Sequence, residues 1–175
     1  MPKFIDSHAH LGDSEFVKDL PEVIERAKHV GVRGVLVVAI GPADFERILN
    51  LHQIYPDFCW PCFGVHPVQN LPKGESRSVT DEDLEESLPW IHEHHDKLFA
   101  IGEVGLDFTP RFCTVDDAKD RQRSALRKQQ RNEPSNIHIS CEYIAKIKKM
   151  DLDTVANIIW ENTLKLFPKI RHVVK

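Results

Sequence analysis

The sequence predicts a parallel α/β fold. Strand-like apolar runs alternate with helix-spaced stretches four times across the first 108 residues, the pattern of successive βα units. The run from Val35 to Ile40 contains no polar residue, as expected of a strand covered on both faces of a parallel sheet. A length of 175 residues with 41% hydrophobic content suits one domain around one core.

Phe4 and Ile5 open the first strand. Side chains alternate faces along a strand, so Asp6, His8 and His10 share one side. Leu20, Val23, Ile24, Ala27 and Val30 then recur at helical spacing, with Pro21 in the first turn and Gly31 where a C-terminal cap belongs. After the second strand, Pro42 starts a helix whose stripe is Phe45, Ile48, Leu49 and His52, ending before Pro56. "FCWPCFGVHP" reads as a third strand and its exit turn, and a loop rich in Pro, Gly and Ser follows. Thr80 with Asp83 three residues on resembles a capping box, and Leu84, Leu88 and Ile91 are the expected buried side, with Pro89 kinking or restarting the helix. "LFAIGEVGLDF" is the fourth strand signal. From Asp116 to Arg131, Ala118, Ala125 and Leu126 are nearly the only apolar residues in a charged stretch. Two helices close the chain, over 139–150 and 152–167, the second with Val155, Ile158, Ile159 and Leu166 as its stripe.

A net charge of −4 and a pI near 6.2 exclude a broad basic surface for sequence-independent nucleic acid binding, so a nuclease of this composition needs metal ions or a local basic patch. No signal-peptide core or membrane-spanning run stands out, and four unevenly spaced cysteines, Cys59, Cys62, Cys113 and Cys141, suit free thiols in a reducing compartment. A cytosolic or nuclear protein without membrane contact is expected.

His8 and His10 are the first candidates for chemistry, because neutral imidazole is a common metal ligand and two of them at a strand's carboxyl end suit metal-assisted hydrolysis. The plain alternative is two polar residues in a turn. Glu103, flanked by glycines at the end of the fourth strand, stands where α/β enzymes place catalytic groups and can complete or bridge a metal site. Asp6 and Asp107 are candidate supports that orient ligands or loops. His66 in "GVHP" faces the same mouth as a substrate-phosphate contact or a structural hydrogen bonder. "CWPC" lacks the following helix that lowers a redox thiol's pKa and reads as core thiols. The histidines of "IHEHHD" and the basic residues from Lys119 to Arg131 read as solvated surface.

"DSHAHL", "GVHP", "IGEVGLDF" and the later "RNEP", in this order, resemble the TatD-type metal-dependent deoxyribonucleases. The resemblance implies a (β/α)8 TIM barrel, a fold of about 250 residues, so a 175-residue chain represents a partial barrel: four βα units plus the C-terminal helices. One hydrolase domain is expected over 1–175, with an N-terminal half-barrel (1–115), a charged junction (116–131) and a C-terminal helical segment (132–175). The family pattern continues after "GLDF" with strands carrying two more metal-binding histidines and a Thr-Asp-Ser/Ala-Pro strand end. This chain has none of them, and His138 and His172 fall in other motifs. An internal block of about four strands is therefore absent, as an alternative splice product or faulty gene model would produce. The resemblance carries over a divalent metal (Zn, Mg or Mn) to His8, His10 and the bridging Glu103, with two ions in the intact site and at most one here. DNA is the implied substrate, hydrolysed weakly or not at all. Two open strand edges and an uncovered inner face predict aggregation, self-association or a partner.

Overall fold

The computed structural model describes residues 2–70, 76–105 and 131–174. A first strand, β1 (Phe4–Ala9), leads through a 3-10 turn (Ser14–Phe16) to α1 (Leu20–His29), followed by β2 (Val32–Val38), α2 (Pro42–Ile54) and β3 (Cys59–Phe63). β4 (Val68–Asn70) and β5 (Ser76–Ser78) precede α3 (Asp81–Glu93) and β6 (Ala100–Ile101). The C-terminal part holds α4 (Ile137–Lys148), α5 (Leu152–Leu166) and 3-10 turns at Pro134–Asn136 and Pro168–His172. The four strands β1, β2, β3 and β6 form one parallel sheet in that order, which is the expected half-barrel.

Strand alternation divides the apolar residues between two cores. On the helix-covered side, Phe4, Val35, Val37 and Phe63 pack with Val23 and Ile24 of α1 and Phe45 and Ile48 of α2. On the other side lie Ile5, Leu36, Val38, Trp60 and Cys62. Cys59 belongs to the first core and Cys62 to the second, because residues three apart in a strand point to opposite faces. Burial pushes the Cys59 thiol up to about 12 and the Cys62 thiol up to about 11, so both are core thiols that cannot pair.

The inner core, which the sequence leaves open except for partial capping by the terminal helices, is covered by those same C-terminal elements. Leu164 of α5 and Ile170 of the last turn are buried against it, with Trp160 and Phe167 alongside, while Val155 and Ala156 at the start of α5 join the helix-side core. α5 packs on β1 and serves both faces of the sheet. Fully burying a side chain of this size contributes roughly 1.5–3 kcal/mol. Against a typical domain stability of about 5–15 kcal/mol, Leu164 and Ile170 are a substantial share. Lys169 fastens the same turn to the sheet by donating to the carbonyls of Asp96 (2.5 Å) and Leu98 (2.7 Å), just before β6, and its ammonium lies 4.9 Å from the Phe99 ring centroid.

Other expectations are corrected. The stretch read as a loop contains the antiparallel β4–β5 pair, with Val68 opposite Ser78 and Gln69 opposite Arg77. α3 runs unbroken through Pro89, yet Leu84 and Leu88 are 39% and 57% exposed, and the packed positions are Ser87, Trp90 and Ile91. Among the described residues no neighbouring element fully covers the Leu84 and Leu88 side. Ile158 and Leu166 of α5 are likewise exposed, at 47% and 72%.

Arg131 is not a solvated charge. It donates to Asp19 (2.8 Å) and to the Glu15 carbonyl (2.6 Å), and its guanidinium lies 4.2 Å from the Phe16 ring centroid. Glu133 receives a bidentate pair from Arg26 of α1, both at 2.9 Å, and the Arg26 hydrogen bonds hold its carboxyl below the ordinary carboxylate value. The "RNEP" motif thus ties the C-terminal segment to α1 and the loop before it.

At the start of α3, Asp83 accepts the Thr80 N–H (2.8 Å), the half of a capping box that the third helical residue supplies, and also the Thr80 hydroxyl (3.0 Å) and a bidentate pair from Arg77 (2.6 and 2.7 Å). Arg77 first, then Thr80, hold its carboxyl far below the ordinary value against the opposing effect of burial. A carboxyl depressed on folding contributes stability that is present above its unfolded value of about 3.9 and lost as pH falls through the folded one. Asp83→Asn is expected to cost about 1 kcal/mol at pH 7 and to flatten the acid-side decline below about pH 4, measured by urea unfolding at several pH values. Gly34 lies against the Trp60 indole, where any Cβ would overlap the ring. Gly34→Ala is expected to cost about 1–3 kcal/mol in the same assay, whereas Gly105→Ala meets no atom within 4 Å and carries only the cost of its positive φ.

Candidate metal centre

His8 projects from β1 and His10 lies just beyond it, while Glu103 follows β6 by two residues. Three strands away in sheet order, these groups meet only because the sheet curls. His8 Nε2 lies 2.9 Å from Glu103 Oε2 and 3.3 Å from His10 Nε2, and His10 Nε2 lies 3.9 Å from the same carboxylate oxygen. One ligand atom from each residue falls within 4.8 Å of the others. Two donors at about 2.1 Å from one ion at a tetrahedral angle stand about 3.4 Å apart, so the set fits a single cation.

The proton on His10 is fixed by its surroundings. Its Nδ1 is 2.9 Å from the Val38 carbonyl, which only accepts, so Nδ1 carries the hydrogen and Nε2 presents a lone pair to the site. For His8, burial first, then His10 and His66, hold the imidazole below its ordinary value against the pull of Glu103. The neutral form is the one that binds metal.

His66 reaches the other carboxylate oxygen, with Nε2 3.5 Å from Glu103 Oε1. Its Nδ1 lies 2.9 Å from both the N and the O of Val68. With Nδ1 accepting the Val68 N–H, the hydrogen sits on Nε2, and His66 faces Glu103 at longer range, outside the group of three donors. Close backbone contact makes this possible: a Cβ at Gly64 would overlap the Gly102 carbonyl group, so the glycine lets the His66 and Glu103 segments touch. Gln69 tightens the arrangement by donating to the carbonyls of Ile40 (3.0 Å) and His66 (2.7 Å), and Ile40 also accepts the His66 N–H at 2.9 Å. Nothing in the sequence pattern marks Gln69, because its role depends on two strand exits meeting.

Asp6 accepts the His8 backbone N–H at 3.1 Å and touches neither imidazole ring, and burial pushes its carboxyl up to about 6. Asp107 lies outside the described residues. His138, in the first turn of α4, donates from Nδ1 to the Ser135 carbonyl at 2.6 Å, and His172 sits in the last 3-10 turn, so neither joins His8, His10 and Glu103. A cleft of about 480 Å³ opens beside the site, lined by Asp6, His8 and His10 on one wall and Arg131, Glu133 and Pro134 on the other. Among the described residues no helix is long and apolar enough to cross a membrane.

The chain is 31% identical to human "Deoxyribonuclease TATDN3" over 265 aligned positions that cover 98% of this chain and 97% of that protein. With 175 residues available, 265 positions leave at least 90 without a residue here, so the similarity reaches both flanks of an internal gap. A "3'-5' ssDNA/RNA exonuclease TatD" of Pectobacterium carotovorum is 34% identical over 116 residues, covering 64% of this chain and 40% of that one. The crystal structure of YJJV, a TatD homologue of Escherichia coli K12, has a TM-score of 0.48 and 29% identity, covering 62% of this chain and 40% of its own. The family model "TatD related DNase" matches residues 5–131, well over half the sequence, and the chain therefore belongs to the TatD-related DNase family.

Proposed function

We propose that the chain retains half of a metal-dependent phosphodiesterase centre, binds one divalent ion through His8, His10 and Glu103, and cleaves DNA weakly. The convergence of these three donors within 4.8 Å supports this reading. Two imidazoles and one carboxylate are a sufficient set for a hydrolytic ion that keeps open positions for water and substrate. A bound divalent ion polarises a phosphodiester and lowers the pKa of its water. Glu103 offsets its charge, and the His10 Nδ1–H bond to Val38 keeps the ligand nitrogen aimed inward. His66 Nε2 lies 3.5 Å from Glu103 Oε1, where its N–H could donate to a phosphate oxygen at the mouth. Loss of the second ligand group removes the clamp on the leaving oxygen, which is why slow turnover is expected.

The gap of at least 90 aligned positions favours a second reading, a non-catalytic form produced by alternative joining of gene segments. The buried free thiols suit a cytosolic or nuclear location for either form. The readings separate in a cleavage assay on labelled single-stranded DNA with Mn2+. The expected result is slow cleavage, abolished by chelation and reduced at least tenfold in both His8→Ala and Glu103→Ala, with Mn2+ affinity lowered tenfold or more in parallel. Cleavage equal in all three proteins sinks the catalytic reading. One-site Mn2+ binding without cleavage leaves the non-catalytic form.

A further inference from the structure

We infer that the carboxyl end of α3 carries a second, independent metal site, formed by His92 and His95, that takes borderline transition-metal ions such as Cu2+, Ni2+ or Zn2+. The two rings lie 6.1 Å apart between centroids and are nearly parallel, at 21°. An imidazole bound through nitrogen at 2.0–2.1 Å places its ring centroid about 3.2 Å from the ion, so two rings sharing one ion are separated by at most about 6.4 Å. Only rings on opposite sides of an ion reach that limit; at a tetrahedral angle the centroids stand about 5.2 Å apart, so these two exposed rings close by about 0.9 Å to share one ion.

Protons at this site are also arranged. His95 Nδ1 is 2.9 Å from the His92 carbonyl, which only accepts, so the hydrogen sits on Nδ1 and the Nε2 lone pair is left for an ion. The His92 ring makes no hydrogen bond among the described residues. The position adds electrostatic support, since α3 ends at Glu93 and the carbonyls of a helix's last turn favour positive charge. Glu93 and Asp96 stand beside the pair in sequence. His94 is excluded: its ring stacks on Trp90 at 4.9 Å and 13°, with Nδ1 donating to the Trp90 carbonyl at 3.0 Å.

Two imidazoles without a carboxylate ligand select by the order of divalent metal affinities, so Cu2+, Ni2+ and Zn2+ bind while Mg2+ and Mn2+ do not. This separates the site from the one containing Glu103.

The test uses the full chain carrying His8→Ala and Glu103→Ala, which removes the centre at the strand ends, titrated with Ni2+ by calorimetry near pH 7.5. One Ni2+ is expected to bind. Adding either His92→Ala or His95→Ala should weaken it at least tenfold, whereas adding His94→Ala should change it less than twofold. Cu2+ paramagnetic resonance of the same background protein should show nitrogen ligation that loses one nitrogen in each of the first two variants and none in the third. Unchanged Ni2+ affinity in both His92→Ala and His95→Ala, or an equal loss in His94→Ala, overturns the assignment. Since His92 and His95 are exposed, circular dichroism melts of their variants should match the parent, which keeps the affinity result interpretable.

Discussion

A parallel sheet needs cover on both faces, and everything else in this chain depends on how four strands obtain it. Helices α1 and α2 supply one layer in the ordinary way of βα units. The other layer would be the interior of a closed barrel, packed by residues from all its strands. Here Leu164, Ile170 and their neighbours from the C-terminal helix and turn fill that role against Ile5, Leu36, Val38 and Trp60. Without them the curl that brings the end of β1 to the end of β6 would have no apolar support. The metal-type cluster at the mouth is therefore held from below by residues that carry no chemistry.

The same geometry explains how the candidate centre divides its labour. One carboxylate serves two directions: Oε2 of Glu103 faces His8 and His10, and Oε1 faces His66. Backbone groups orient two of the three rings: the Val38 carbonyl takes the His10 Nδ1–H, and the Val68 N–H points at His66 Nδ1.

Much of this was legible in sequence, for a physical reason in each case. Period-two alternation puts His8 and His10 on one side of β1, the end of the fourth strand signal places Glu103 at the same mouth, and Thr80 with Asp83 announces a helix start. "CWPC" also yields to alternation, since a strand turns Cys59 and Cys62 apart. Illegible features are those that depend on a distant neighbour. Of the expected stripe of α3, Ile91 packs against the core, while Leu84 and Leu88 have the helix spacing but stand exposed, so periodicity placed the buried side only in part. Arg131 looks like the end of a solvated charged run and Glu133 gives no sign of its partner, yet they pair with Asp19 and Arg26 across 112 and 107 positions. Strands of three residues, such as β4 and β5, carry too little pattern to detect.

Lys169 has a bearing on the order in which the molecule assembles. β1, β2 and β3 pair through short connections and can form while the rest of the chain is still being made. The carbonyls before β6 are held by a lysine 71 and 73 positions later, so the fourth strand is fastened by a contact that closes a long loop. Contacts of long separation form at a higher entropic cost than local ones. The segment that fastens β6 also covers Trp60 and Leu36, through Leu164 and Ile170, so one long-range docking completes both the sheet and its inner core.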